Sequence, residues 1–220
     1  MKLVCIGDSF TAGDELNDRT VSWPYLLGNL LSADTINMGR SGAGNERIIK
    51  RTIDTTFDGT TDIIVVAWSN PQRAEIADED GVFTYWPSRN VKFVSKPDRA
   101  NLIKAVAVAE CENVHTWSHR RWLRDIILLQ AFFKQHNQKY IMIQSHESQY
   151  MNIKWLLETD KHVDLSKHID TEMFLGWPVD GIVEWAGDAP RGPNGHPLEL
   201  GHQRIADKIY EHIRNLGWLP

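Results

Sequence analysis

The sequence predicts an α/β protein built on a parallel sheet, and three observations carry that expectation. Short apolar runs rich in β-branched residues recur at 2–6, 35–38, 62–68 and 139–144. Segments of helical periodicity lie between them, which is the spacing of parallel strands joined by crossover helices. Each run stops at a glycine or serine: Gly7, Gly39, Ser69 and Ser145. In a parallel sheet these stops share one edge, where open α/β sheets place their chemistry.

The elements follow in order. The first strand breaks at Gly7-Asp8-Ser9. Residues 14–20 are polar, with Asp14, Glu15, Asp18 and Arg19, and read as a loop. Ser22 and Pro24 open a helix through Leu26, Leu27, Leu30 and Leu31. The second strand ends in the most glycine-dense stretch, from Gly39 to Asn45. A helix near 46–57 puts Ile48, Ile49 and Ile53 on one face. The run at 62–68 is the clearest buried strand, and Ser69-Asn70-Pro71 stops it. Residues 72–97 fit no regular unit and read as an insertion, a small hairpin or a lid over one end of the sheet. Helices are expected from Asp98 and over about 116–136, and the fourth strand ends at Ser145-His146-Glu147. Periodicity is poor from 148 to 190, where Trp177-Pro178 and Trp185 are candidates for a cleft wall. The last helix spans about 198–216.

Composition narrows the class. With 220 residues, 42% of them hydrophobic, the chain can bury one sizeable core. No repeat, low-complexity tract or linker divides it, so one domain over 1–220 is expected. A net charge of -5 gives no basic face for nucleic acid. Cys5 and Cys111 are too few and too distant for a disulfide framework, and a reducing compartment is the default. No signal peptide is visible and no apolar run reaches membrane-spanning length, so no membrane partner is expected and a cytoplasmic setting is the default. Nine tryptophans are more than a core of this size needs, so some are expected at a cleft or interface.

The strand ends, read together, supply the parts of an acyl-transfer site. Ser9 is a hydroxyl after strand one, and the loop after strand two offers backbone N–H groups. Asn70 offers a side-chain amide after strand three, and His146 follows strand four. His196 sits in a constrained Gly195-His196-Pro197 loop before the last helix. Each has a plainer reading beside it. Gly-Asp-Ser also makes an ordinary turn, Gly42 a turn glycine and Asn70 a strand-end cap. His202 reads as structural and His146 stays open. His115 and His119 have the spacing of a zinc pair but lack a third ligand, so no metal is expected.

The motifs together resemble the SGNH (GDSL-type) hydrolase family. They are Gly7-Asp8-Ser9, Ser41-Gly42, Asn70, and His196-Pro197 with Gly201-His202, in that order over nearly the whole chain. The resemblance implies a three-layer, flavodoxin-like α/β/α sandwich with a parallel sheet of about five strands and an insertion after the third. It implies Ser9 as nucleophile and His196 as general base. The oxyanion hole would be the Ser9 and Gly42 N–H groups and the Asn70 side chain. No cofactor is needed.

The sequence departs from the family pattern twice. Trp68 and Pro71 flank Asn70 where the family has glycine and aspartate. Pro193 stands where the family has the aspartate that orients the base. Asp188 is the nearest upstream acid; a backbone carbonyl or a carboxylate from elsewhere, such as Glu147, are the alternatives. The expected function is a serine esterase acting on O-acyl groups of a carbohydrate or small alcohol. The rival is a catalytically inactive binding or virion-associated module of the same fold, kept in play by the missing aspartate. A phosphate-binding flavodoxin-like domain is disfavoured, since the 39–44 loop lacks a Lys-Ser/Thr ending.

Overall fold

Strand β1 (Lys2–Ile6) is apolar from Leu3 to Ile6 because helices cover both of its faces, and it lies inside the sheet. The computed structural model describes residues 1–78, 81–85, 98, 101–102, 104–106, 109, 114–146 and 165–219. β2 (Asp34–Asn37) and β3 (Ile63–Trp68) flank β1, and β6 (Lys139–Gln144) lies outside β3. All three pairings are parallel. The order β2-β1-β3-β6 reverses direction at β1, so the edge crevice opens where Ser9 leaves the strand.

The fifth strand expected from the sequence is reduced to a single bridge. Phe174 pairs with Met142 of β6, through hydrogen bonds from Met142 N to Met173 O and from Leu175 N to Met142 O. The described sheet therefore has four strands and one rung of a fifth. The insertion begins as a hairpin, β4 (Ala74–Asp78) against β5 (Gly81–Tyr85). Its remainder at 86–97, most of the helix expected from Asp98, and Glu147 lie outside the described residues.

The period of two along each strand splits the core into two layers. Leu3, Cys5, Val65, Ala67, Ile141 and Ile143 face one side. There they meet α2 (Trp23–Leu31), α5 (Ile182–Ala186) and α6 (Glu199–Asn215). Val4, Ile6, Ile64, Val66, Trp68 and Met142 face the other side. They meet α3 (Asn45–Asp58) and α4 (Val114–Gln135). This is the three-layer sandwich. Trp177 and Trp185, expected at a cleft wall, are half-buried and pack against these layers. Trp177 tilts against Trp122 and Phe174 with ring centroids 5.7 and 5.1 Å away, and Trp185 lies against the opposite cluster. Their apolar area is better buried than exposed.

Candidate active site

β1 ends in a tight turn into α1 (Ser9–Ala12), with Asp8 as its N-cap. Asp8 Oδ1 accepts the Phe10 N–H at 3.1 Å, which is why an acid suits this position. Gly7 is required by closeness: a Cβ there would come within 2.2 Å of Thr11 Oγ1. Ser9 is thereby held at the carboxyl end of the central strand, 8% exposed.

The other oxygen of Asp8 does unexpected work. Oδ2 accepts His146 Nε2 at 2.8 Å and faces Arg73 Nη1 at 3.6 Å, while Asp8 itself is fully buried. Burial opposes ionisation, but the His146 hydrogen bond and the charges of His146 and Arg73 outweigh it and hold the carboxyl below its usual value. Arg73 Nη1 also donates to Ala43 O at 2.9 Å. Glu75 accepts Gly44 N at 2.9 Å and Arg47 Nε at 3.2 Å. The start of the insertion thus anchors the glycine-rich loop to the serine turn.

In that loop Gly42 has φ +74°, a conformation that favours glycine, and a Cβ there would meet nothing within 4 Å. Ser41 Oγ donates to Asp14 Oδ2. At the end of β3, Asn70 Oδ1 accepts Gln72 N at 2.9 Å, so its amide nitrogen is the donor left over. Asn45 fixes the preceding residue, accepting Ser69 N at 2.9 Å and donating to Ser69 O at 3.2 Å.

His196 sits in a turn closed by hydrogen bonds from Gly192 N to His196 O and from Gly195 N to Gly192 O. Its Nδ1 lies 2.7 Å from Glu15 Oε2, which also accepts His196 N at 3.1 Å. Glu15 Oε1 accepts Asn194 N at 2.8 Å and Asn194 Nδ2 at 3.2 Å. Burial opposes ionisation of Glu15, but these hydrogen bonds and the charge of His196 keep its carboxyl below the usual value. An ionised acceptor fixes the proton of neutral His196 on Nδ1 and leaves Nε2 with its lone pair. The Phe10 ring, next to Ser9 in the chain, packs on His196 with centroids 4.8 Å apart and on His146 at 5.1 Å. Ser9 Oγ makes no hydrogen bond to His196 in this structure; such bonds commonly tighten only when substrate binds.

The carboxylate on His196 corrects the sequence reading. Asp188 does not approach the imidazole. Its side chain is 92% exposed and pairs with Arg204 Nη1 at 2.7 Å. Glu15 was legible only as one of several acids in a polar loop. Its left-handed φ of 70°, which turns it toward the histidine loop, has no sequence signature. His202 is structural, as expected: it is fully buried, and its Nδ1 accepts Trp23 N at 3.1 Å, capping α2 from the last helix.

No helix among the described residues is long and apolar enough to cross a membrane. Those residues hold no group of three or more His, Cys, Asp or Glu arranged to bind a metal.

This architecture is an SGNH-like fold, shared with solved structures of low sequence identity. One is described as a lipolytic protein of the G-D-S-L family from Desulfitobacterium hafniense, with TM-score 0.54 and 14% identity over 96% of this chain and 98% of that one. Another is a carbohydrate esterase family 2 enzyme with a carbohydrate-binding domain, from Corynascus thermopiles (Myceliophthora fergusii). It has TM-score 0.52 and 15% identity over 99% of this chain and 67% of that one. A third is a two-domain esterase active on acetylated mannans, at TM-score 0.50 and 11% identity, over 98% of this chain and 50% of that one. The chain belongs to a family of unknown function, DUF6071, whose model matches residues 10–220. No curated protein matches it.

Proposed function

We propose that the protein is a serine esterase. Ser9 Oγ attacks the ester carbonyl while His196 Nε2 takes its proton. The oxyanion is met by the Ser9 and Gly42 N–H groups and the Asn70 amide. Collapse of the intermediate breaks the bond to the alcohol, and His196 returns the proton to the leaving oxygen. Water then releases the acyl group by the same route in reverse. Glu15 orients His196 throughout and favours the imidazolium when it forms.

The observation that carries this reading is the Glu15–His196 bond at 2.7 Å beside the serine turn. The rival non-catalytic reading drew its weight from Pro193, and the Glu15 carboxylate on His196 supports the catalytic reading over it. O-acyl carbohydrates or small alcohols are the substrate class, a choice supported by the sugar-directed esterases among the fold neighbours. The test is hydrolysis of p-nitrophenyl acetate by wild type and Ser9→Ala. Activity lost by about 10³-fold or more in the variant is expected. A folded wild type without activity, or a variant as active as wild type, would overturn the reading.

A further inference from the structure

Two imidazoles flank one phenyl ring. His196 and His146 lie on Phe10 at 4.8 and 5.1 Å, and each is held by a carboxylate: Glu15 on Nδ1 of the first, Asp8 on Nε2 of the second. His196 has its role in the reaction above, and His146 has none there. Asp8 occupies only one of its nitrogens. Nδ1 of His146 meets no hydrogen-bond partner among the described residues, and the side chain is 22% exposed. His202 offers the contrast of a purely structural histidine, fully buried with Nδ1 spent on a backbone N–H.

We propose that His146 is a substrate-binding residue whose Nδ1 takes a hydroxyl on the alcohol part of the ester, so that the site prefers esters of polyhydroxylated alcohols. This rests on the esterase reading for its place in the reaction. Asp8 holds the ring through Nε2, which leaves Nδ1 of this partly exposed side chain for a ligand. A neutral ring presents a lone pair there and a charged ring presents N–H. A hydroxyl suits both, because it donates and accepts. An apolar alcohol group would desolvate Nδ1 without replacing its hydrogen bond. A site built this way discriminates by the partner it would leave unpaired.

The test compares kcat/KM for a mono-O-acetylated methyl xyloside with that for p-nitrophenyl acetate, in wild type and His146→Gln. Glutamine keeps a donor for Asp8. The ratio of the two values is expected to fall about tenfold or more in the variant. An unchanged ratio would overturn the proposal, whatever happens to overall rate or folding. Imidazole ¹⁵N spectra of Ser9→Ala, with and without methyl xyloside, give the second readout. The His146 Nδ1 resonance is expected to move on saturation, and an unmoved one overturns the proposal. A wild type that hydrolyses neither ester, with His146 still shifted by the xyloside, would retire the esterase reading and leave the hydroxyl site standing.

Discussion

Glu15 Oε2 lies 2.7 Å from His196 Nδ1, although the two residues are 181 positions apart in the chain. The carboxylate comes from the loop after the serine turn, and the imidazole from the turn before the last helix. The same carboxylate binds the N–H groups of Asn194 and His196, so one side chain both shapes the histidine turn and orients its ring. Glu15→Gln presents one oxygen where two are used and can turn an N–H toward Nδ1. It is expected to lower kcat by about 10²–10⁴-fold with a smaller change in KM. Steady-state kinetics on p-nitrophenyl acetate checks this.

The Asn70 side chain accepts a turn hydrogen bond from Gln72 N through Oδ1, which leaves its amide nitrogen to donate. Asn70→Ala is expected to reduce kcat by about 10²–10³-fold. The lost turn bond should cost about 1 kcal/mol of stability. Kinetics beside a urea melt separates the two; a large loss of stability with unchanged kcat would make Asn70 a strand-end cap.

Asp8 is fully buried, and Arg73 and His146 share one of its oxygens. Asp8→Asn removes the buried negative charge that Arg73 and His146 both face and is expected to cost about 3–5 kcal/mol. The midpoint of urea unfolding reads this directly.

His202 is pushed down to about 4, chiefly by burial and further by the charge of His196. The folded state resists protonation there, so the unfolded chain binds the extra proton once pH falls below about 6.5. Stability from this group is complete above that pH. It is lost progressively down to the folded value near 4, by about 3 kcal/mol in all. Asparagine places an acceptor near Nδ1 and does not titrate. His202→Asn should therefore flatten the fall in unfolding free energy between pH 6.5 and 4 relative to wild type. Parallel slopes would contradict this.

The sheet was legible because its inner strands are buried on both faces and written as continuous apolar runs, Leu3 to Ile6 and Ile63–Trp68 above all. The Met173–Leu175 rung beside β6 was not, since a single bridge leaves no periodic pattern. Ser9, Asn70 and His196 stood out because each follows a strand end or opens a helix. Glu15 did not, because pairing across 181 positions depends on a backbone turn at φ 70° that local propensity disfavours. Asp188 is nearer in sequence to His196 but pairs elsewhere: an exposed acid beside Arg204 on the next helix gains a partner without leaving water. The two tryptophans expected at the cleft are half-buried against the two core layers, a packing that a loop-rich sequence without a period does not reveal.

The most direct test of the central claim is the rate at which a fluorophosphonate labels Ser9, followed by mass mapping, in wild type, Glu15→Gln and Asp188→Ala. Wild type and Asp188→Ala are expected to label at Ser9 at similar rates, and Glu15→Gln about 10²-fold or more slowly. No label on Ser9 in folded wild type, or slowing in Asp188→Ala with Glu15→Gln unaffected, would contradict the account.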